Sequence, residues 1–504
     1  MTKRMVAFLL AALCTFHSGG NPGRAEVTLP LVFANHMVLQ RDQPIPIWGK
    51  AEPGEKITVS LGKDQISTVA DPEGRWSVRL PARPGSQRPV DLAIRGLNTI
   101  TVSDVLVGDV WLCSGQSNMH WPLRLATGGE AEIAQAADPG LRLLNLVAKP
   151  QTQGRRFDGA ELDCCRSGKY LTGGWAACSP ESARDFSAVG YFFGRAMRED
   201  LRVPIGLIHN AVGGTPTESW IDREALAADP VLKGLLNANW LENPSIHPFC
   251  RSRAITNMPG LKEELGRGTR RYHHPYEPGF MHAAGIAPLA PFALRGVLWY
   301  QGESNTHSAQ LHDRLFPLLV KGWRDLWGQG DFPFLFVQLP NLNSAEDWPA
   351  FRQSQLKASR LGRTGMAVTI DIGDPNDVHP RDKREVGRRL SLLARTIAHG
   401  AAIESSGPVF QSSKRMGGEL HLSFTHSGDR LGVKGDPKLS GFEVRGTGGD
   451  FIPVPARVHQ REVVLTLPGQ TAPKAIRWAH TPNPPSQLVN PEGLPASPFE
   501  VELD

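Results

Sequence analysis

Between residues 105 and 405, short apolar runs alternate with amphipathic stretches, and this pattern restricts the fold more than any other feature of the chain. The runs cover residues 105–113, 141–147, 203–209, 295–301, 334–339 and 366–371. Each is short enough for one buried strand and too short for a helix that is apolar all round. Between them apolar residues recur at helical spacing. Phe186, Val189, Phe193 and Met197 share a face, as do Leu311, Leu315, Leu318 and, further on, Leu326. Val386, Leu390, Leu393 and Ile397 form a third such stripe. Alternation of this kind predicts a parallel sheet with helices on both sides. In such sheets a ligand binds in the crevice beyond the carboxyl ends of the strands. Inserts rich in Gly, Pro and His, at 152–175 and 237–280, are expected to roof that crevice.

The flanks read differently. Residues 26–105 carry short alternating runs with turn signals, such as Lys56-Ile-Thr-Val-Ser-Leu and Trp76-Ser-Val-Arg-Leu, which fit a small antiparallel β-domain. Residues 406–504 return to that pattern, with Pro-rich segments between the runs. The expected organisation is a leader over 1–25, an N-terminal β-domain over 26–105, an α/β catalytic domain over 106–405 and a C-terminal β-domain over 406–504. A chain of 504 residues is long enough for two or three cores.

The leader has a basic start (Lys3, Arg4), an apolar stretch from Val6 to Leu13, and small residues at Gly23 and Ala25. This reads as a secretory signal cut near Ala25, giving a periplasmic or secreted protein. The apolar stretch falls short of the roughly 20 residues a membrane span needs. A net charge of +5 without any block of like charge points away from nucleic acid as a partner. After the leader the cysteines are Cys113, Cys164, Cys165, Cys178 and Cys250. Cys113 lies in a buried run and is expected to be a free thiol, while Cys164 or Cys165 could pair with Cys178. No metal-ligand spacing occurs, so neither a metal nor another cofactor is expected.

Four polar motifs follow four of the strand-like runs. Ser117 follows the first, on a turn begun by Gly115; Met119 stands where an α/β-hydrolase elbow has its second glycine. Gly213-Gly-Thr follows the run ending near His209, Gln301-Gly-Glu-Ser-Asn follows the run through Tyr300, and Asp374-Pro-Asn-Asp-Val-His-Pro follows the run through Asp371. Together they supply the parts of acyl transfer. Ser117 is the candidate nucleophile and His379 the general base. Backbone N–H groups of Ser117 and of Gly213 or Gly214, with the Gln301 side chain, are candidate oxyanion donors. Asn118 and Asn305 are candidate substrate-binding residues.

These motifs (Gly108 through Met119, Gly213-Gly-Thr-Pro, Trp299-Tyr-Gln-Gly-Glu-Ser-Asn and Asp374 through Pro380), with Gly493-Leu-Pro-Ala-Ser-Pro-Phe near the end, resemble the sialate O-acetylesterases of the SGNH (GDSL-like) hydrolase superfamily. The resemblance implies a flavodoxin-like three-layer α/β/α core that needs no metal and removes acetyl groups from sugar hydroxyls. It places Ser117 at the nucleophile and His379 at the base. It implies 9-O-acetylated sialic acids as substrates, with acetylxylan or other plant-wall carbohydrates as the alternative. Asn376 stands three residues before the histidine, where many SGNH enzymes carry the triad Asp. The acid is therefore expected from Asp377 first, Glu303 second and Asp374 third. A reading of another class, a sugar-binding or scaffold protein with an inert core, is tested by acetate release.

Overall fold

In a computed structural model of the chain, the described residues are 26–503 apart from 167–168, 238, 270, 436–437, 470–472 and 486. The expected leader, 1–25, lies outside them.

The central sheet is built on one long strand, β1 (Thr99–Gly115), fully buried from Val105 onward. Its neighbours are β2 (Asp138–Ala148), β3 (Trp175–Cys178), β4 (Ile205–Ala211), β5 (Gly296–Tyr300), β6 (Phe334–Val337) and β7 (Thr364–Ala367). They run in the order β3-β2-β4-β1-β5-β6-β7. All neighbouring pairs are parallel except β3 with β2, at the edge. After β1 the chain builds one side of the sheet, then crosses to build the other. The carboxyl end of β1 is thus the point where strand order reverses, the place at which such sheets open a crevice.

Strand residues alternate between two apolar layers, as the period of two requires. Trp111, Leu143, Leu207 and Leu298 face α2 (Ala188–Leu201) and α5 (Lys383–His399). Leu112, Leu144, Ile208 and Trp299 face the layer that holds Leu315, Leu319 and Trp323 of α3 (Ala309–Trp327). The short α1 (Ser117–His120) follows β1 directly, and α4 (Trp348–Ala358) packs beside α3. The fold is therefore mixed α/β, a large sheet covered by helices on both faces.

β1 also carries the N-terminal β-region. Its first half pairs antiparallel with the strand Ser86–Arg95, and Leu106 to Gly108 pair with Val38–Gln40. Residues 105 and 106, where the composition changes, are consecutive within this one strand. Beyond α5 the chain forms two further four-stranded antiparallel sheets, one around Glu419–Thr425 and one around Ala475–Trp478.

The expected bridge from Cys178 to Cys164 or Cys165 is not formed, and all five described cysteines are free thiols. The reason is topological: Cys165 belongs to one apolar layer and Cys178 to the other. The Cys178 thiol donates to the Ala136 carbonyl instead. Among the described residues no helix is long and apolar enough to cross a membrane.

Candidate active site

Gly115 ends β1 because nothing else fits there. Its φ is +134°, and a Cβ would stand 2.1 Å from the Tyr300 carbonyl oxygen on β5. The chain turns, Gln116 donates its N–H to that same carbonyl, and Ser117 becomes the first residue of α1. Its hydroxyl is thereby lifted clear of the strand. His379 arrives from the loop between β7 and α5, and its Nε2 lies 2.8 Å from Ser117 Oγ. The motifs on these two separate loops thus converge at hydrogen-bond distance.

Asp377 Oδ1 lies 3.5 Å from His379 Nδ1 and accepts the His379 backbone N–H at 2.9 Å. Asp374 closes the turn by accepting from the Asn376 N–H. Burial and the cationic Lys383 lower the pKa of His379, against the opposing pull of Asp377. The imidazole ring stacks on Trp121, with centroids 5.1 Å apart.

Gly213 lies beside Ser117: a Cβ placed there would be 3.7 Å from the Ser117 Cβ. Gly214 has φ +73°, and a Cβ there would fall 2.2 Å from the Tyr276 hydroxyl, so a side chain is excluded twice over. The carbonyl of Gly213 accepts from Thr152 and Tyr276, and that of Gly214 from Ser304. With these carbonyls anchored by the roof, the peptide units beside the hydroxyl are held in place. Among the described residues, the N–H groups of Ser117, Gly213 and Gly214 have no backbone acceptor.

Three of the expected residues are occupied elsewhere. The Gln301 amide donates to Asn305 Oδ1 and to the Thr215 carbonyl, and its oxygen accepts from the Thr217 hydroxyl, so it has no group to offer an oxyanion. Asn305 is buried, accepting from Thr217 and donating to Glu218. Asn118, fully buried, donates to Glu303 and to the Val378 carbonyl and accepts from Lys383. These side chains fasten the strand-end loops to one another and do not reach the cavity. Glu303 borders the cavity, but burial raises its pKa and its hydrogen bond goes to Asn118, not to His379.

The cavity over Ser117 and His379 holds about 600 Å³. Both expected inserts contribute to its wall, with Thr152 and Gln153 from the first and Phe249, Arg253 and Tyr276 from the second. Sequence reasoning missed Arg253, Trp121 and Lys383, whose contacts join distant segments. The Arg253 guanidinium lies over the Phe249 ring and donates to the Thr152 carbonyl. A larger cleft of about 880 Å³ lies between the N-terminal β-region and residues 287–291, and joins no nucleophile to a base. Among the described residues no cluster of three or more His, Cys, Asp or Glu is arranged to hold a metal.

Residues 269–394 match the family described as carbohydrate esterase, sialic acid-specific acetylesterase. The mouse sialate O-acetylesterase is 33% identical over 413 residues, spanning 73% of this chain and 72% of the mouse protein. The human sialate O-acetylesterase is 30% identical over 451 residues, spanning 81% and 78%. A crystal structure of a carbohydrate acetylesterase from Xanthomonas citri superposes with a TM-score of 0.77 at 34% identity, covering 94% of this chain and 99% of that one.

Proposed function

The chain belongs to the sialate O-acetylesterase family of carbohydrate esterases, and from that premise we propose a serine mechanism in which Ser117 carries the acetyl group and 9-O-acetylated sialic acid is the substrate. Its activity is carboxylic ester hydrolysis on an acetylated carbohydrate. The observation that carries the serine mechanism is the 2.8 Å contact between Ser117 Oγ and His379 Nε2 inside the cavity. Ser117 attacks the acetyl carbonyl while His379 takes its proton. The tetrahedral oxyanion is met by the N–H groups of Ser117 and of Gly213 or Gly214. His379 returns the proton to the departing sugar oxygen, then activates the water that cleaves the acyl-enzyme and releases acetate. Asp377, behind Nδ1, holds the tautomer and stabilises the imidazolium. The parallel sheet with a nucleophile at its switch point supports a flavodoxin-like SGNH core. A leader over 1–25 would direct the enzyme to the periplasm or beyond.

The substrate reading is supported by Arg253. It lines the cavity, and its hydrogen bond and ring contact are to neutral groups. A guanidinium so placed suits the carboxylate of an acidic sugar, which it can grip through two N–H donors. The test compares acetate release from 9-O-acetylated sialic acid and from acetylated xylo-oligosaccharides. Ser117→Ala should abolish both activities in a folded protein. Arg253→Gln should lower kcat/KM for the acidic sugar by about 10- to 100-fold, the worth of a charge-assisted hydrogen bond, and spare the neutral one. A wild-type preference for the neutral sugar, indifferent to Arg253, would assign the enzyme to plant-wall substrates instead.

A further inference from the structure

Lys383 is an unexpected residue to find fully buried. It is the first residue of α5, where the positive end of the helix disfavours a cation. Burial of an ammonium is itself costly, and here it pushes the pKa down to about 7. A Met or Leu would fill the space without either cost.

Its contacts point to a use. The ammonium donates to Asn118 Oδ1, and the other end of that amide donates to Glu303 Oε1 and, at 3.0 Å, to the Val378 carbonyl. Asn118 follows the nucleophile and Val378 precedes the base. The ammonium also lies 5.3 Å from the centre of the Tyr300 ring and 5.7 Å from that of Trp121, and Trp121 stacks on the imidazole of His379. We propose that Lys383 is a positioning residue for ester hydrolysis, locking Asn118 between Glu303 and the Val378 carbonyl so that nucleophile turn and base loop keep one distance. This inference rests on the roles proposed above for Ser117 and His379.

A second consequence is electrostatic. The charged groups around the imidazole are Asp377 on its own loop and Lys383 on α5, with the Ser117 hydroxyl at Nε2. Around the ammonium are Glu303 and Tyr300 from β5 and its following turn, Asp377, and Asp382 at the helix start. A protonated Lys383 disfavours a second positive charge on His379. The histidine therefore stays in its basic form at lower pH than it otherwise would.

The experiment compares wild type, Lys383→Met and Lys383→Gln in kcat, KM and the pH profile of kcat/KM, with circular dichroism to check folding. Lys383→Met should lower kcat by about 100-fold with little change in KM, the usual cost of a reacting pair displaced by about an ångström. Its acid limb should move to higher pH. Lys383→Gln, which keeps a donor for Asn118 but no charge, should recover part of kcat and keep the shifted limb. A folded Lys383→Met enzyme with wild-type kcat and profile would overturn the proposal. So would failure of both variants to fold, since the lysine would then serve folding. If Ser117→Ala stays active, the serine mechanism falls; if only the lysine variants behave as wild type, this proposal falls alone.

Discussion

At the scale of single residues, the site depends on which proton carrier is neutral and what holds it so. Burial, the largest influence on His379, lowers its pKa from the ordinary value of about 6.5, and Lys383 adds to the effect. In the proposed mechanism only the neutral imidazole can take the serine proton, so kcat/KM should rise with pH through a midpoint below that ordinary value. Asp377→Asn removes the anion that favours imidazolium. The midpoint should then fall further, and kcat should drop by as much as about 10⁴-fold, as when a triad acid becomes its amide. Asp374→Asn should leave kcat within a few-fold of wild type, because that carboxylate only caps a turn. Rate–pH profiles of the two variants decide between them. The convergence of Ser117, His379, Gly213 and Gly214 on one cavity was legible in the sequence because each motif follows a strand end of the same sheet. Gln301, Asn118 and Asn305 were misread for a physical reason: a polar side chain at a strand end can face the cavity or a neighbouring loop with equal ease. Lys383 was invisible, since a lysine at a helix start looks like a solvated residue until the packing is known.

At the scale of elements, the position of α5 decides where Lys383 sits and where the base loop ends. α5 packs on α2 at Gly387, one turn beyond the lysine, and the approach is close enough to involve backbone. A Cβ on Gly387 would stand 2.7 Å from the Phe192 Cβ and 2.7 Å from the Phe193 backbone nitrogen. Gly387→Val should force the helices apart and cost about 1–3 kcal/mol, the range for overpacking. The urea midpoint measures that loss. Because the start of α5 moves with it, kcat should fall at a temperature where the variant remains folded; unchanged kcat would mean that the base loop is held independently of the helix. The stripe Val386, Leu390, Leu393 and Ile397 on α5 was readable from its period: the first three are buried and Ile397 is half-buried against the same layer. On α3 the period was less informative. Leu315 is buried, but Leu326 is exposed, and Trp323 and Trp327 complete the buried face. Glycine contacts between helices leave no periodic trace, so the closeness at Gly387 could not be read beforehand.

At the scale of the whole molecule, the C-terminal β-region is part of the site's support. Arg352 on α4 is fully buried and faces only carbonyl oxygens. Its Nε donates to Leu339, Nη1 to Thr481, and Nη2 to both Pro340 and Pro482. Burial without a carboxylate lowers its pKa to about 9. The first of these segments continues through Leu342, Ser344 and Glu346, which form one wall of the cavity. The second belongs to the turn after the strand Ala475–Trp478, and it also accepts the Leu342 N–H through Pro482. One guanidinium thus clamps the cavity wall to the C-terminal region, away from Ser117 and His379. Arg352→Met keeps the buried volume and removes every donor. Each lost hydrogen bond is worth about 1 kcal/mol net, so the four together should cost roughly 4 kcal/mol. Released from its clamp, the wall should bind sugar less well while the Ser117–His379 pair stays intact. KM should therefore rise with kcat nearly unchanged, the reverse of the split expected for Lys383→Met. Arg352→Lys should not restore either property, because a single ammonium cannot reach carbonyls on both segments as the fork does. If Arg352→Met instead lowers kcat with KM constant, the C-terminal region acts on the reacting groups and not on the sugar.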